Sequence, residues 1–186
     1  MTQSPAAATT TVWTIGHSTH PIGEFLGLLA EYRIATVADV RSFPGSRKYP
    51  QYGREALAAM LAANAIDYEW MPALGGRRRV LPDSPNTGWR NASFRGYADY
   101  MGGAEFARGL DRLLTLGTAS RTAVMCAEAV WWRCHRSMIA DALHVRGIDV
   151  VHILDARHNV THPMTAPARI VDGRLTYAAD GGALLF

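Results

Sequence analysis

Short β-favouring runs alternate with segments of helical periodicity along most of the chain, and that alternation leaves few folds open. Val12-Trp13-Thr14-Ile15 stops at Gly16, and Ile22, Phe25, Leu26 and Leu29 then recur at helical spacing behind Pro21, with Glu24 in the first turn. Residues 35–40 form a second β run, and an Arg/Pro/Gly/Tyr loop to Tyr52 precedes a helix marked by Leu57, Met60 and Leu61. A third strand is expected over 66–71. Tyr97, Met101, Phe106, Leu110, Leu113 and Leu114 mark helical sequence broken at Gly102-Gly103. Residues 122–126 form a buried strand, a helix through Met138, Ile139, Ala142 and Leu143 closes at Gly147, and 149–154 supply a fifth strand. Parallel strands need crossovers, and right-handed crossovers cover both faces of a sheet. The expectation is a single-domain α/β fold, Rossmann-like and three-layered. It has about five mostly parallel strands, helices on both faces, and a small C-terminal hairpin around Asp172-Gly173. The domain takes residues 12–186, behind a tail over 1–11 expected to be disordered.

Length and composition narrow the functional classes. With 186 residues, 48% of them hydrophobic, the chain builds one sizeable core. Two cysteines, Cys126 and Cys134, make neither a disulfide scaffold nor a four-cysteine zinc pattern. The first residues lack the basic start and apolar run of a signal peptide, and no stretch of about 18 apolar residues occurs. The chain is therefore expected to be cytoplasmic, with no membrane partner and no cofactor. Its oligomeric state is not readable.

The cations are 18 arginines and one lysine, Lys48. Codon bias accounts for arginine over lysine, but not for where the arginines fall. Residues 41–54, 75–98 and 126–136 carry net +4, +4 and +1, so +9 sits there against −6 for the rest of a +3 chain. In open parallel sheets ligands bind beyond the carboxyl ends of the strands, and these segments are the loops leaving that edge. A phosphate-bearing small molecule or nucleic acid is the expected partner. Phe43, Tyr49, Tyr52, Trp89, Phe94, Trp131 and Trp132 lie among the arginines, as on surfaces that stack bases while holding phosphates.

The same loops carry a family resemblance. Gly16-His17-Ser18, Asp39-Val40-Arg41 with Pro44 and Ser46, Leu74-Gly75-Gly76, residues 94–98, and Cys126-Ala127-Glu128 with Cys134-His135-Arg136 resemble the domain-of-unknown-function 488 family. The resemblance covers roughly residues 12–154 and implies no particular substrate.

Candidate residues follow from position. Glu128 and His17, at neighbouring strand ends, are an acid–base pair around a bound anion. Ser18 and Thr19 offer backbone donors at a helix start; Arg41, Ser46, Arg47, Arg95, Arg133, His135 and Arg136 are ligand-binding candidates. Asp39 either pairs with an arginine or orients a ribose-like hydroxyl, and an Asp39–Glu128–arginine ion-pair network is the alternative. Cys134 at a helix N-terminus is the better thiolate candidate; Cys126 reads equally as core. Cys126-x6-Arg133 is similar to rhodanese-like and cysteine phosphatase loops, but the spacing differs and no glycine supplies an anion nest. Zinc on Cys126, Cys134, His135 and His17 meets the objection that C-x7-C is not a usual ligand spacing, and no metal is expected. Three readings remain: an enzyme acting on a phosphate-containing substrate, a non-catalytic binding module, and a thiol-based enzyme. Placement alone predicts that alanine at Arg41, Glu128 or Arg136 costs binding and leaves the melting temperature nearly unchanged.

Overall fold

The computed structural model describes residues 10–45 and 47–179. The tail expected over 1–11 lies, up to residue 9, outside the described residues, and Thr11 already opens a strand. The strands are β1 (Thr11–Gly16), β2 (Thr36–Asp39), β3 (Asp67–Trp70), β4 (Thr122–Cys126), β5 (Asp149–Ile153) and β6 (Asn159–Thr161). They form one sheet in the order β3-β2-β4-β1-β5-β6, parallel throughout except for β6. The helices are α1 (Ile22–Glu31), α2 (Arg54–Ala63), α3 (Ala92–Met101), α4 (Ala104–Ala119) and α5 (Arg136–Val145), and β7 (Arg169–Val171) pairs with β8 (Arg174–Thr176) as the expected hairpin. β6 is an addition to the expected five strands. It is three residues long and exposed throughout, so it has no inside–outside alternation to announce it.

Alternation along the strands divides the core into two halves. Ile15, Val37, Ala123 and Met125 face α1 and α2, which bury Phe25, Leu29, Leu57 and Leu61. Val12, Ala38, Val124 and Val150 face α3, α4 and α5 with Tyr97, Phe106, Leu110, Met138 and Leu143. Each fully buried Leu or Phe contributes roughly 1.5–3 kcal/mol of transfer free energy. No helix among the described residues is long and apolar enough to cross a membrane.

This wiring positions the site. β1 and β2 lead into helices on one face, while β4 lies between them and leads into α5 on the other. The loop after β4 therefore parts from both neighbours, which opens a crevice on each side of it. Register levels the three ends: Gly16 pairs with Cys126, and Asp39 with Met125.

Candidate functional site

Two adjoining cavities, of about 540 Å³ and about 510 Å³, lie at this edge. Arg41, Phe43, Gly45, Arg77, Glu128 and Arg133 line both. Cys126, Cys134 and His135 line the first; His17, Ser18, Thr19 and Lys48 line the second. Gly16 is required here. A Cβ on it would lie 1.9 Å from the Glu128 carbonyl oxygen, so only glycine lets the β4 loop fold over the end of β1.

The crevice wall beside β2 is a buried ion-pair network. Asp39 is fully buried and accepts from Arg41 Nε at 2.8 Å, from the Arg41 backbone N–H at 3.0 Å and from Tyr68 Oη at 2.7 Å. Arg41 Nη1 donates to the Tyr52 carbonyl at 2.8 Å and meets His17 Nε2 at 3.3 Å. Burial opposes the Arg41 charge, yet the Asp39 carboxylate holds its pKa above the ordinary value. His17 stacks on Tyr52 at 4.0 Å and its Nδ1–H donates to the Ser18 carbonyl at 3.0 Å. Burial, and then the Arg41 charge, lower its pKa to about 4. His17 is thus a neutral ring whose two nitrogens are both engaged, which suits holding Arg41 and not carrying protons.

A second buried cation sits behind the β4 loop. Arg136 is 1% exposed, and its Nη2 donates to the Glu128 carbonyl at 2.6 Å while Nε donates to Cys134 Sγ at 3.4 Å. No carboxylate touches it among the described residues; its counter-charge arrives through a chain. Arg136 Nη1 reaches Thr14 Oγ1 at 3.5 Å, Thr14 meets His152 Nδ1 at 2.7 Å, His152 Nε2 meets His162 Nδ1 at 2.9 Å, and His162 Nε2 meets Asp141 at 2.9 Å. The fully buried Asp141 also accepts from Thr165 and Tyr177. Every member is satisfied when each group donates toward Asp141.

His152 gives a pH prediction. Burial, His162 and the Arg136 charge lower its pKa from 6.5 to about 3; Asp141 lies beyond His162, and Trp131 stacks on the ring at 4.2 Å. The unfolded chain takes up this proton near pH 6.5 and the folded protein only near 3, so stability falls as pH drops through that window. His152 alone contributes a slope approaching about 1.4 kcal/mol per pH unit and the similarly lowered His17 adds to it, so urea midpoints measured downward from pH 7 should show the fall already above about pH 5, before carboxylates titrate. Midpoints that stay flat there would contradict a neutral buried His152.

The floor of the first cavity brings two thiols and an imidazole together. Cys126 Sγ, Cys134 Sγ and a His135 ring nitrogen lie within 4.8 Å of one another, the one such group of potential metal ligands among the described residues. The hydrogen bond from Cys126, then His135 and the Arg136 charge, hold the Cys134 thiol well below its usual pKa against the opposing effect of burial. Donating that bond, together with burial, pushes Cys126 up.

A family model described as domain of unknown function DUF488 matches residues 21–143. The chain belongs to the DUF488 family. The match contains Asp39, Arg41, Cys126, Glu128, Cys134, His135 and Arg136 and stops short of His17. No match was found among curated proteins or among solved structures.

In this DUF488 chain the three sequence-predicted loops do converge, but their residues divide. Glu128 and Arg133 are exposed within both cavities, and Thr19 lines the second. Asp39 pairs with Arg41 and Tyr68 behind the wall, and Arg136 lies beneath the loop. The backbone donors expected at the first helix are not free near Ser18: His17 N–H and Ser18 N–H bond the carbonyls of Cys126 and Ala127, extending the β1–β4 ladder. Arg95 folds back onto the Trp89 carbonyl at 2.9 Å and lines neither cavity, nor does Arg47. Ser46 lies outside the described residues.

The segment over residues 72–93 is too long for a mere connector, which by itself predicts a lid or flap, but it is anchored on α3. Asp99 accepts from Leu81 N–H, Ser84 and Asn86, while Tyr97 and Tyr100 donate to the Leu74 and Ala73 carbonyls. Arg78 lies over the Tyr100 ring at 3.6 Å. Gly75 and Gly76 pack against Ser42 and His135, where a Cβ would come within 2.7 Å and 2.9 Å. That contact leaves Arg77, in a left-handed backbone conformation with φ 59°, at the crevice rim.

Proposed function

We propose that this protein is a cytoplasmic enzyme, a hydrolase or transferase, that binds a phosphate-bearing ligand, a nucleotide or nucleic-acid end, in the crevice beside β4. One observation carries the reading. Arg41 and Arg136 are consumed by buried partners, whereas Arg77 and Arg133 line both cavities, exposed, with no ion-pair or hydrogen-bond partner for their side chains among the described residues. Two unpaired guanidinium forks facing one concavity suit a dianionic phosphate. Phe43, 72% exposed on the same rim, supplies a face for a base. Glu128 is the carboxylate in both cavities and takes the role of general base. Two free cysteines fit a reducing compartment.

Fluorescence anisotropy with a 5′-phosphorylated single-stranded oligonucleotide tests the binding half. Arg77→Ala and Arg133→Ala are each expected to weaken binding about tenfold and to reduce the salt slope by about 1. Affinity unchanged in both variants would overturn the assignment. Glu128→Gln should retain binding and lose turnover; steep salt dependence with no product formed from any phosphorylated probe would favour a binding module instead.

A further inference from the structure

We infer that Cys126, Cys134 and His135 form a three-ligand zinc site whose fourth position opens into the crevice. The ligand chemistry is that of zinc, which takes cysteine sulfur at about 2.3 Å and histidine nitrogen at about 2.0 Å, so ligand atoms on a tetrahedral ion stand roughly 3.5 to 3.8 Å apart. Cys134 Sγ and His135 Nδ1 are 3.7 Å apart, and all three ligand atoms lie within 4.8 Å. Closing round an ion needs movements of about an ångström.

The tautomer of His135 points the same way. Its Nε2 lies 3.1 Å from the Val40 carbonyl, which only accepts, so Nε2 carries a proton and Nδ1, the nitrogen left to bind a metal, is the one that faces Cys134. A lone pair and a sulfur facing each other at this distance call for a proton or a cation between them. A backbone carbonyl behind the distal nitrogen is also the usual outer support of a metal-bound imidazole, and Arg136 Nε–H on Cys134 Sγ supports the thiolate in the same manner. Two thiolates neutralise the ion, leaving the Arg136 charge to Asp141 through the buried chain. All three ligands line the first cavity, so the remaining position faces the space shared with Glu128 and Arg133. Three protein ligands with one open place is the pattern of a catalytic zinc, and the unusual C-x7-C spacing is answered by the fold, which brings the end of β4 and the start of α5 together. His17 is not part of the group, since both its ring nitrogens are engaged elsewhere.

The site stands or falls without reference to the crevice's organic ligand. The reduced full-length chain is titrated with Co²⁺ and then Zn²⁺. One equivalent of cobalt should develop thiolate-to-metal charge-transfer absorption and the visible bands of a tetrahedral centre, and one equivalent of zinc should erase both. Zinc affinity should drop about 100-fold in Cys126→Ser and in His135→Ala. The wild-type cobalt spectrum reads the thiolates without any substitution, so a variant that misfolds does not decide the matter. Cobalt bound without charge-transfer absorption, no stoichiometric uptake, or zinc affinity unchanged in a folded Cys126→Ser/His135→Ala double variant would overturn the site. An oligonucleotide affinity that persists without zinc uptake would remove the metal and leave the phosphate reading standing.

Discussion

Replacing Arg41 with alanine is expected to cost about 3–5 kcal/mol of folding stability, the largest single effect the site predicts. Asp39 would remain fully buried with Tyr68 and the residue 41 backbone N–H as donors and no counter-charge, while the Tyr52 carbonyl and His17 Nε2 would each lose a donor. Position in the sequence predicts lost binding with the melting temperature nearly kept. The geometry reverses that, because Arg41 is 6% exposed and its donors point into the protein. Urea unfolding of Arg41→Ala against wild type checks this, and a double variant with Asp39→Asn should recover part of the loss by removing the stranded charge. A midpoint equal to wild type would mean that Arg41 is free to serve a ligand.

Arg136→Met comes next, at about 3 kcal/mol or more. Methionine fills much of the volume but removes the donors that hold the Glu128 carbonyl and Cys134 Sγ, and it strands Asp141 at the far end of the histidine chain. Two readouts separate this from a simple packing defect. Amide exchange should quicken in the loop after β4, whose Glu128 carbonyl has lost its donor, and the pH window over which His152 lowers stability should shorten from its acid end as the Arg136 charge no longer opposes its protonation. Unchanged exchange in residues 127–135 would contradict the role of Arg136 as the pin of that loop.

Much of the fold was legible because helical periodicity, continuous β-favouring runs and the glycines that end them are local signals. Thr122 to Cys126 is buried at every position, and the breaks at Gly16, Gly102-Gly103 and Gly147 fall where elements end. β6 escaped because an exposed three-residue edge strand has no such pattern. The convergence of three loops was also legible, since strand order alone brings them to one edge. Which arginines stay free was not, because pairing is a matter of geometry: Asp39 engages Arg41 two residues on, while Arg95 turns back to Trp89. Arg77 joins the crevice through Gly75-Gly76 packing on Ser42 and His135, contacts made across 33 to 59 positions of chain. The Thr14–His152–His162–Asp141 chain was missed, although polar residues on the inward face of apolar strands were its signal: His152 lies one step from Val151 and two from Val150.

On the proposed function, the crevice beside β4 holds a phosphate between Arg77 and Arg133. A crystal structure of the protein grown with a nucleoside 5′-monophosphate measures this directly. The phosphate is expected in contact with both guanidinium groups, the base against Phe43, and Arg41 still paired with Asp39. Phosphate bound away from Arg77 and Arg133, or Arg41 released from Asp39 to take it, would contradict it.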